Sequence, residues 1–491
     1  MRTARSPFAV PALVVTVVLS AVTGPSARAA RVAVAGPPPL QLVATASAVT
    51  VERPQGQFQV ELGLGTVMVA GRSAFEVRVE RRSYHDPIVA TQVIRDPGRI
   101  RMRTLDDGVV RDFGGFTDFF HLRLTDIAGN TVLDLDQDFC PGGHPVRLRS
   151  HGPEASPYPP SCPTNPFTLG TVWGVQAGWG TPTGGLYQRV DTRGVPDGDY
   201  IARLWVTKPY RDVFEIPANT ITVQVTLKTV PPRPPLTEPP VTPDRPEPTG
   251  PATVPARSRP DLVALPAWAV DIQGDNARTP EVENERLTFA ANVWNAGPSP
   301  LVVDGFRRAG EAVMDSYQYF YDSTGDQVGH APVGSMEWDP RAAHRHWHFR
   351  DFAGYRLLDS GGHEVVRSQK EAFCVANTDA IDLFVENAAW QPDHTDLHTS
   401  CGREDAQTVR EVLATGHGDT YANSAPGRAL DIHGLPNGTY YIQVVANPDH
   451  KLYETDLGNN VSLRRVVLGG TPGARTVRVP PYESVDTDPA G

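Results

Sequence analysis

Lysine is scarce in this sequence. Of 45 basic residues in 491 positions, only Lys208, Lys228, Lys370 and Lys451 are lysines. The formal net charge is −11, so the chain lacks the basic surface typical of a general nucleic-acid binder. We therefore expect no nucleic-acid partner.

A long hydrophobic run is also missing. The run from Phe8 to Val22 is too short to cross a bilayer with margin. It follows Arg2 and Arg5 and precedes the small-residue signature at residues 27–29, a pattern typical of a cleavable signal peptide. We expect residues 1–29 to be removed, the product to be secreted, and no membrane span to remain.

Cysteine is rare, and its placement is informative. Cys140 and Cys162 lie in the first half of the chain, whereas Cys374 and Cys401 lie in the second. In an exported protein, four cysteines are better explained by disulfides than by metal binding, and they allow three pairings. One bridge in each half is the simplest arrangement.

Helical periodicity is hard to find on either side of a proline-rich segment, residues 229–260. Residues 40–228 and 261–470 instead show short alternating runs of apolar and polar residues between turn residues. This pattern predicts an all-β protein of two antiparallel β-sandwich domains. The segment between them predicts a polyproline-like linker, and residues 471–491 a flexible tail.

The two halves resemble each other. TDFFHLRLTDIAGNTVLDLDQDFC, which ends at Cys140, aligns with RDFAGYRLLDSGGHEVVRSQKEAFC, which ends at Cys374. The segments that start at Gly194 and Gly434 also align, including a Pro-Asp/Asn-Gly turn and the strand after it. We infer a duplicated domain.

Three histidines in the second half form the sharpest chemical pattern. His344, His346 and His348 occupy alternate positions, so their imidazoles would project from one face of a strand. Three neutral imidazoles suit zinc or copper and leave a position for water or substrate. A polar strand face without metal is the simpler alternative, but this spacing favours a metal site.

The second half resembles the lysyl oxidases, a family of secreted copper amine oxidases. HRHWHFRDFAGYRLLD is similar to the copper-binding strand of that family, and RPDLV at Arg259 and NPDHKLYETDLGNN are similar to its first and last strands. SQKEAFC resembles the segment that supplies the cofactor lysine, and GDTY the segment that supplies the cofactor tyrosine. The resemblance identifies these residues as Lys370 and Tyr421.

The resemblance implies a specific chemistry. Copper at the three histidines would promote oxidation of Tyr421, and the amine of Lys370 would then add to the ring to form lysine tyrosylquinone. Arginine could not replace Lys370, because a guanidinium keeps its proton. The implied substrates are dioxygen and a primary amine, either peptidyl lysine or a small amine, and the implied products are an aldehyde, ammonia and hydrogen peroxide.

Two further sites are implied by the same resemblance. Asp351 matches an aspartate that follows the histidine strand, so it is the candidate general base, although strict alternation places it on the opposite face. The second site is a calcium site, which would join the first strand of the domain to its last. Its ligands would be Asp261, the carbonyl of Leu262, Glu454, Asp456, Asn459 and Asn460.

The first half lacks this chemistry. In the alignment, Asp136 stands in the place of Lys370, Thr183 lies near the place of Tyr421, and Gly115 replaces His348. We expect this copy to be catalytically silent. The second half departs from the animal family in having only two cysteines, and in having Gly354 where a histidine is often found.

Two other functions fit the same residues. One is a non-enzymatic extracellular module for copper binding or adhesion, in which the quinone never forms. The other is a zinc or copper enzyme without a quinone, such as a hydrolase or a cupin-type dioxygenase. The cupin reading is weaker because no glutamate and second histidine follow at cupin spacing, and because Lys370 and Tyr421 would have no role.

Overall fold

The computed structural model describes residues 39–96, 98–150, 152–184, 189–232, 245–273, 285–341, 345–368, 372–423 and 429–487. We call residues 39–232 the first half and residues 245–487 the second half. The predicted signal peptide, His344 and Lys370 lie outside the described residues.

The first half is built almost entirely from short strands. They are β1 (Leu40–Ala44), β2 (Ala48–Pro54), β3 (Gln59–Glu61), β4 (Thr66–Ala70), β5 (Phe75–Glu80), β6 (Val89–Asp96), β7 (Arg99–Thr104), β8 (Phe116–Asp126), β9 (Thr131–Phe139), β10 (Val146–Arg147), β11 (Gly170–Val175), β12 (Trp179–Pro182), β13 (Arg189–Asp191), β14 (Gly198–Val206) and β15 (Ile221–Val230). A helix of seven residues, α1 (Lys208–Phe214), lies between β14 and β15. Among the described residues, no helix is long and apolar enough to cross a membrane.

The second half continues the pattern. Its strands are β16 (Leu262–Ala264), β17 (Trp268–Gln273), β18 (Arg286–Asn295), β19 (Leu301–Arg307), β20 (Val313–Tyr321), β21 (Gln327–Asp339), β22 (His346–Arg350), β23 (Ala353–Leu358), β24 (Glu364–Arg367), β25 (Ala372–Phe373), β26 (Asp379–Ala380), β27 (Thr408–Leu413), β28 (His417–Tyr421), β29 (Leu430–Asp431), β30 (Gly438–Ala446), β31 (Val461–Thr471) and β32 (Ala474–Arg478).

The strands form separate sheets in each half. The first half has the orders β1-β4-β12-β10, β11-β5-β6-β7, β13-β3 and β2-β15-β14-β8-β9. The second half has β16-β18-β28-β26, β25-β22-β21-β20-β19-β27 and β24-β23-β30-β31-β32. Neighbouring strands are antiparallel except for β2 and β15, which are parallel. The predicted all-β class with antiparallel sheets is confirmed.

Alternate residues of the strands build the cores. Every second residue of β14 is buried, from Tyr200 to Val206, as expected for a strand with one face on a core. One apolar cluster joins buried residues of the first half, and another joins buried residues of the second half. The predicted disulfides, Cys140–Cys162 and Cys374–Cys401, are present, one in each half.

Local geometry repeats between the halves. Gly194 and Gly434 have φ values of +80° and +74°. The Tyr200 hydroxyl donates to the Pro196 carbonyl at 2.7 Å, and the Tyr440 hydroxyl donates to the Pro436 carbonyl at 2.8 Å. The strand orders β9-β8-β14-β15 and β24-β23-β30-β31 also correspond. These matches support a duplicated domain.

Two segments are more ordered than the sequence predicts. The predicted flexible tail is wrong for residues 474–487, because β32 pairs with β31 and the Tyr482 ring packs on Tyr84 and Phe167. The predicted linker also contacts the second half. Thr253 donates its N–H to the His330 carbonyl at 2.8 Å, and Tyr317 donates to Glu247 at 3.1 Å.

Candidate functional site

The histidine strand β22 lies beside β21. His346 pairs with Asp339 and His348 with Glu337, so both histidines project from one face, and their ring centroids are 4.6 Å apart. His348 is 2% exposed, and Trp347, on the opposite face, is fully buried. His344, the third predicted ligand, lies outside the described residues, and within those residues no three His, Cys, Asp or Glu side chains form a metal-binding group.

Asp339 is a site residue that the sequence analysis missed. It is 6% exposed, and its Oδ2 atom lies 3.5 Å from Nδ1 of His348. Arg341 also contacts this carboxylate. A carboxylate beside an imidazole fixes the orientation of the ring and makes it a better metal ligand. The sequence feature that could have identified Asp339 is a charged residue at the end of a strand, five positions before His344.

The residues that follow Lys370 pair with the histidine strand. After it, β25 pairs with β22, with Phe373 opposite Phe349 and Ala372 opposite Arg350. Before it, the buried Ser368 donates its N–H to the Tyr355 carbonyl at 2.9 Å. Lys370 itself lies outside the described residues, but the described residues after it pair with the histidine strand, and Ser368 before it bonds to β23.

Tyr421 is the last residue of β28 and contacts the segment that follows Lys370. Its hydroxyl donates to the Cys374 carbonyl at 3.2 Å, and its ring centroid lies 4.8 Å from that of Phe373. Burial and a hydrogen bond with Asp419 raise the pKa of Tyr421 well above its usual value. The described structure therefore places Tyr421 against the chain four residues after Lys370.

Two buried acids support this arrangement. Glu411 is 1% exposed and accepts the backbone N–H of Phe349 at 3.1 Å and that of Val375 at 2.9 Å. Its carboxylate thus links the histidine strand to the segment that follows Lys370. Asp419 is 2% exposed and lies two residues before Tyr421 on β28, so both side chains share a face. Period-two alternation in GDTY could have found Asp419.

Asp351, the predicted general base, lies at a bend after β22. Its φ is +64°, and its Oδ2 atom accepts from Nζ of Lys451 at 2.5 Å. This ion pair involves a loop of the second half rather than Tyr421. Asp118, at the aligned position of the first half, has φ +54°, so the bend belongs to the duplicated fold.

Several of the residues predicted to bind calcium contact each other. Leu262 donates its N–H to Glu454 at 2.9 Å, and Asn459 donates to Asp261 at 3.1 Å, so the first strand is tied to the last turn. Asp456 accepts from the Gly458 N–H. Among these residues, the Oδ1 atoms of Asp261, Asn459 and Asn460 are buried and have no hydrogen-bond partner within the described structure. Such hard oxygen donors fit a calcium ion.

The first copy has no room for the corresponding histidine. Gly115, which aligns with His348, has φ +129°, and a Cβ atom there would lie 2.5 Å from the Phe139 carbonyl oxygen. Asp136, at the place of Lys370, contacts His121, and Thr183 is hydrogen-bonded to Thr66. These contacts support the prediction that the first copy is silent.

Comparisons with known proteins agree with the second-half assignment. Residues 320–474 match the family model described as lysyl oxidase. Lysyl oxidase homolog 2 of Gallus gallus is 30% identical over 129 residues, which cover 26% of this chain and 15% of the relative. Lysyl oxidase homolog 4 of Mus musculus is 30% identical over 130 residues, with the same shares. The chain thus spans about 15% of the length of the curated relatives it matches.

We expect Glu411→Gln to lower the free energy of unfolding by about 1–3 kcal/mol, because one of two buried N–H groups loses its acceptor. Burial, together with the Asp419 carboxylate, raises the pKa of Glu411. The folded protein therefore keeps a proton that the unfolded chain releases, and this contribution to stability falls as pH rises through the raised pKa.

In Glu411→Gln this side chain no longer titrates. The difference in the free energy of unfolding between wild type and variant should therefore shrink as pH rises from about 5 to about 8. Urea unfolding across this range measures it, with the exposed Glu311→Gln as the matched control. A difference that is constant or grows with pH would contradict the assignment.

Proposed function

We propose that this chain, whose residues 320–474 are a lysyl oxidase domain, is a secreted copper amine oxidase. The reaction would convert a primary amine, dioxygen and water into an aldehyde, ammonia and hydrogen peroxide. Peptidyl lysine and small amines are the proposed substrates. The domain division predicted above and the export of the chain through residues 1–29 are parts of the same proposal.

The observation that carries the proposal is the convergence of three strands. The histidine strand β22 pairs with β25, which begins two residues after Lys370. Tyr421, at the end of β28, contacts Phe373 and Cys374 of the same segment. The histidine strand, the segment that follows Lys370 and the strand that ends at Tyr421 are therefore linked through β25 and Cys374, and this supports the proposal.

Copper would be held by His344, His346 and His348. The two described imidazoles share a face, and Asp339 lies against His348, so the donor set fits a metal that prefers nitrogen ligands. When bound, copper together with the quinone formed from Lys370 and Tyr421 would transfer electrons from the amine to dioxygen. Because lysine is scarce in the sequence, the occurrence of Lys370 two residues before β25 is notable.

The enclosure of Tyr421 has two chemical effects. Partial burial disfavours the ionised form of the hydroxyl, as the raised pKa of Tyr421 indicates. Contacts with Phe373 and Cys374 restrict the ring, so that its reactive edge is held in one orientation. Lys370 would have to be neutral to add to the ring, which burial or a nearby cationic metal favours.

Asp419 is a second candidate for the general base. Its carboxylate is hydrogen-bonded to Tyr421, whereas Asp351 is paired with Lys451. A base must reach the proton that leaves the α carbon of the amine, within about 2.6–3.2 Å or through one water. We propose Asp419 for this role in preference to Asp351.

Calcium would be held by the oxygens that converge between β16 and the turn before β31. The donors are Asp261, the Leu262 carbonyl, Glu454, Asp456, Asn459 and Asn460. The unpaired oxygens described above fit this role. The bound ion would fasten the first strand of the second half to its last, as a structural clamp.

The copper assignment is tested with His346→Ala in the full chain. Removal of a ligand should abolish stoichiometric copper binding and amine-dependent peroxide release, while the exposed His363→Ala should retain both. Asp339→Asn should weaken copper binding by about 10–100-fold, because the support of His348 is lost. Copper titration, a peroxide assay with a panel of amines, and circular dichroism as a fold check measure these effects. Unchanged peroxide release in a folded His346→Ala protein would refute the proposal.

Calcium should raise the unfolding temperature, because an ion that binds only the folded state stabilises it. We expect the calcium-dependent shift to be lost in Asp261→Asn, which removes a charge but keeps the side-chain shape. Asp271→Asn, an exposed site on β17, is the matched control and should keep the full shift. Thermal unfolding with calcium and with a chelator measures it, and an equal shift in both variants would contradict the clamp.

A further inference from the structure

The silent first half contacts the sheet that carries Tyr421. In that sheet β26 pairs with β28, with Asp379 opposite Gly418. Immediately after β26, Leu169 donates its N–H to the Ile381 carbonyl at 2.7 Å, and Leu383 donates to the Gly170 carbonyl at 2.9 Å. The first half therefore adds backbone hydrogen bonds to the edge of the sheet, one strand away from β28.

Side chains continue this connection toward Tyr421. Asp379 accepts the backbone N–H of Thr164, in the first half, at 3.4 Å. Its other oxygen accepts the hydroxyl of Thr420 at 2.6 Å. Thr420 precedes Tyr421 directly. One carboxylate thus joins the first half to the residue beside the proposed cofactor tyrosine.

A buried aromatic ring anchors the contact. Phe167 is fully buried, and its ring lies edge-on to Tyr482 at 5.7 Å and to Trp268 at 6.1 Å. It packs in a cluster with Leu265, Trp294, Ile381 and Val485 of the second half. Trp294 is paired with Gly418 of β28, so this cluster also supports the tyrosine strand.

The fit between the halves is close enough to require glycine. A Cβ atom at Gly170 would lie 2.5 Å from the Phe384 ring and 2.8 Å from the Asp382 carboxylate. A loosely touching surface would have space for a methyl group at this position. Contacts also place both halves in one compact unit.

We propose that residues 164–170 of the first half, which we call the brace, position β28 so that the Tyr421 ring stays against Phe373 and Cys374. The brace would thereby give the silent copy a role in the maturation of the other copy. The effect of the brace on quinone formation rests on the proposed function, whereas the positioning of β28 by the brace is independent of it.

The test uses full-length Phe167→Leu, with full-length Phe119→Leu as the matched control. Both phenylalanines are fully buried, but Phe119 packs only in the core of the first half. Hydrogen exchange of the peptide that covers residues 417–421 should become at least about tenfold faster in Phe167→Leu and stay near the wild-type rate in Phe119→Leu. The cross-link between Lys370 and Tyr421 should form at least about tenfold more slowly in Phe167→Leu alone, because misplaced groups react slowly.

The possible results separate the two proposals. Equal exchange of residues 417–421 in the two variants, whether fast or slow, overturns the brace. If wild-type protein forms no cross-link after aerobic copper loading, the proposed oxidase fails, and the exchange measurement still decides on the brace. Selective fast exchange combined with slow cross-linking in Phe167→Leu supports both.

Discussion

The contact on which the site depends is the Glu411 carboxylate between two backbone segments. It accepts from Phe349 of the histidine strand and from Val375, which follows the Lys370 segment. A buried carboxylate is costly unless it is hydrogen-bonded, so this arrangement persists only while both segments stay in place. The pairing of β22 with β25 and the contact of Tyr421 with Cys374 depend on the same relative alignment of these strands. These contacts hold the histidine strand, the segment that follows Lys370 and Tyr421 in one arrangement.

The local geometry of the first half corresponds to that of the second. Both copies keep the positive-φ aspartate after the strand, the tyrosine that bonds back to a proline carbonyl, and one disulfide. The positions aligned with the proposed reactive residues differ. Gly115 has no space for a side chain, whereas His348 at the aligned place is accommodated beside Asp339. The first half contacts the second through Phe167 and Asp379.

Much of the fold was predictable, because period-two burial and the repeat are local patterns. The disulfide pairing and the shared face of His346 and His348 also followed from position in the sequence. Glu411 was missed because its importance comes from contacts with Phe349 and Val375, which are distant in sequence and which alternation does not specify. Asp339 and Asp419 lie near His348 and Tyr421 in the sequence, so local patterns could have identified them. The prediction of a flexible tail was wrong for a reason similar to the one given for Glu411. The Tyr482 ring has few packing partners nearby in the sequence, and its partners Tyr84 and Phe167 lie more than 300 positions away.

The central claim is that the converging strands bring Lys370 and Tyr421 close enough to form one cofactor. Peptide mass mapping after aerobic copper loading tests it most directly. We expect a single species in which the Lys370 peptide is joined to the Tyr421 peptide, and we expect this species to be absent from a folded Tyr421→Phe variant. Separate, unmodified peptides from folded wild-type protein with copper bound would contradict it.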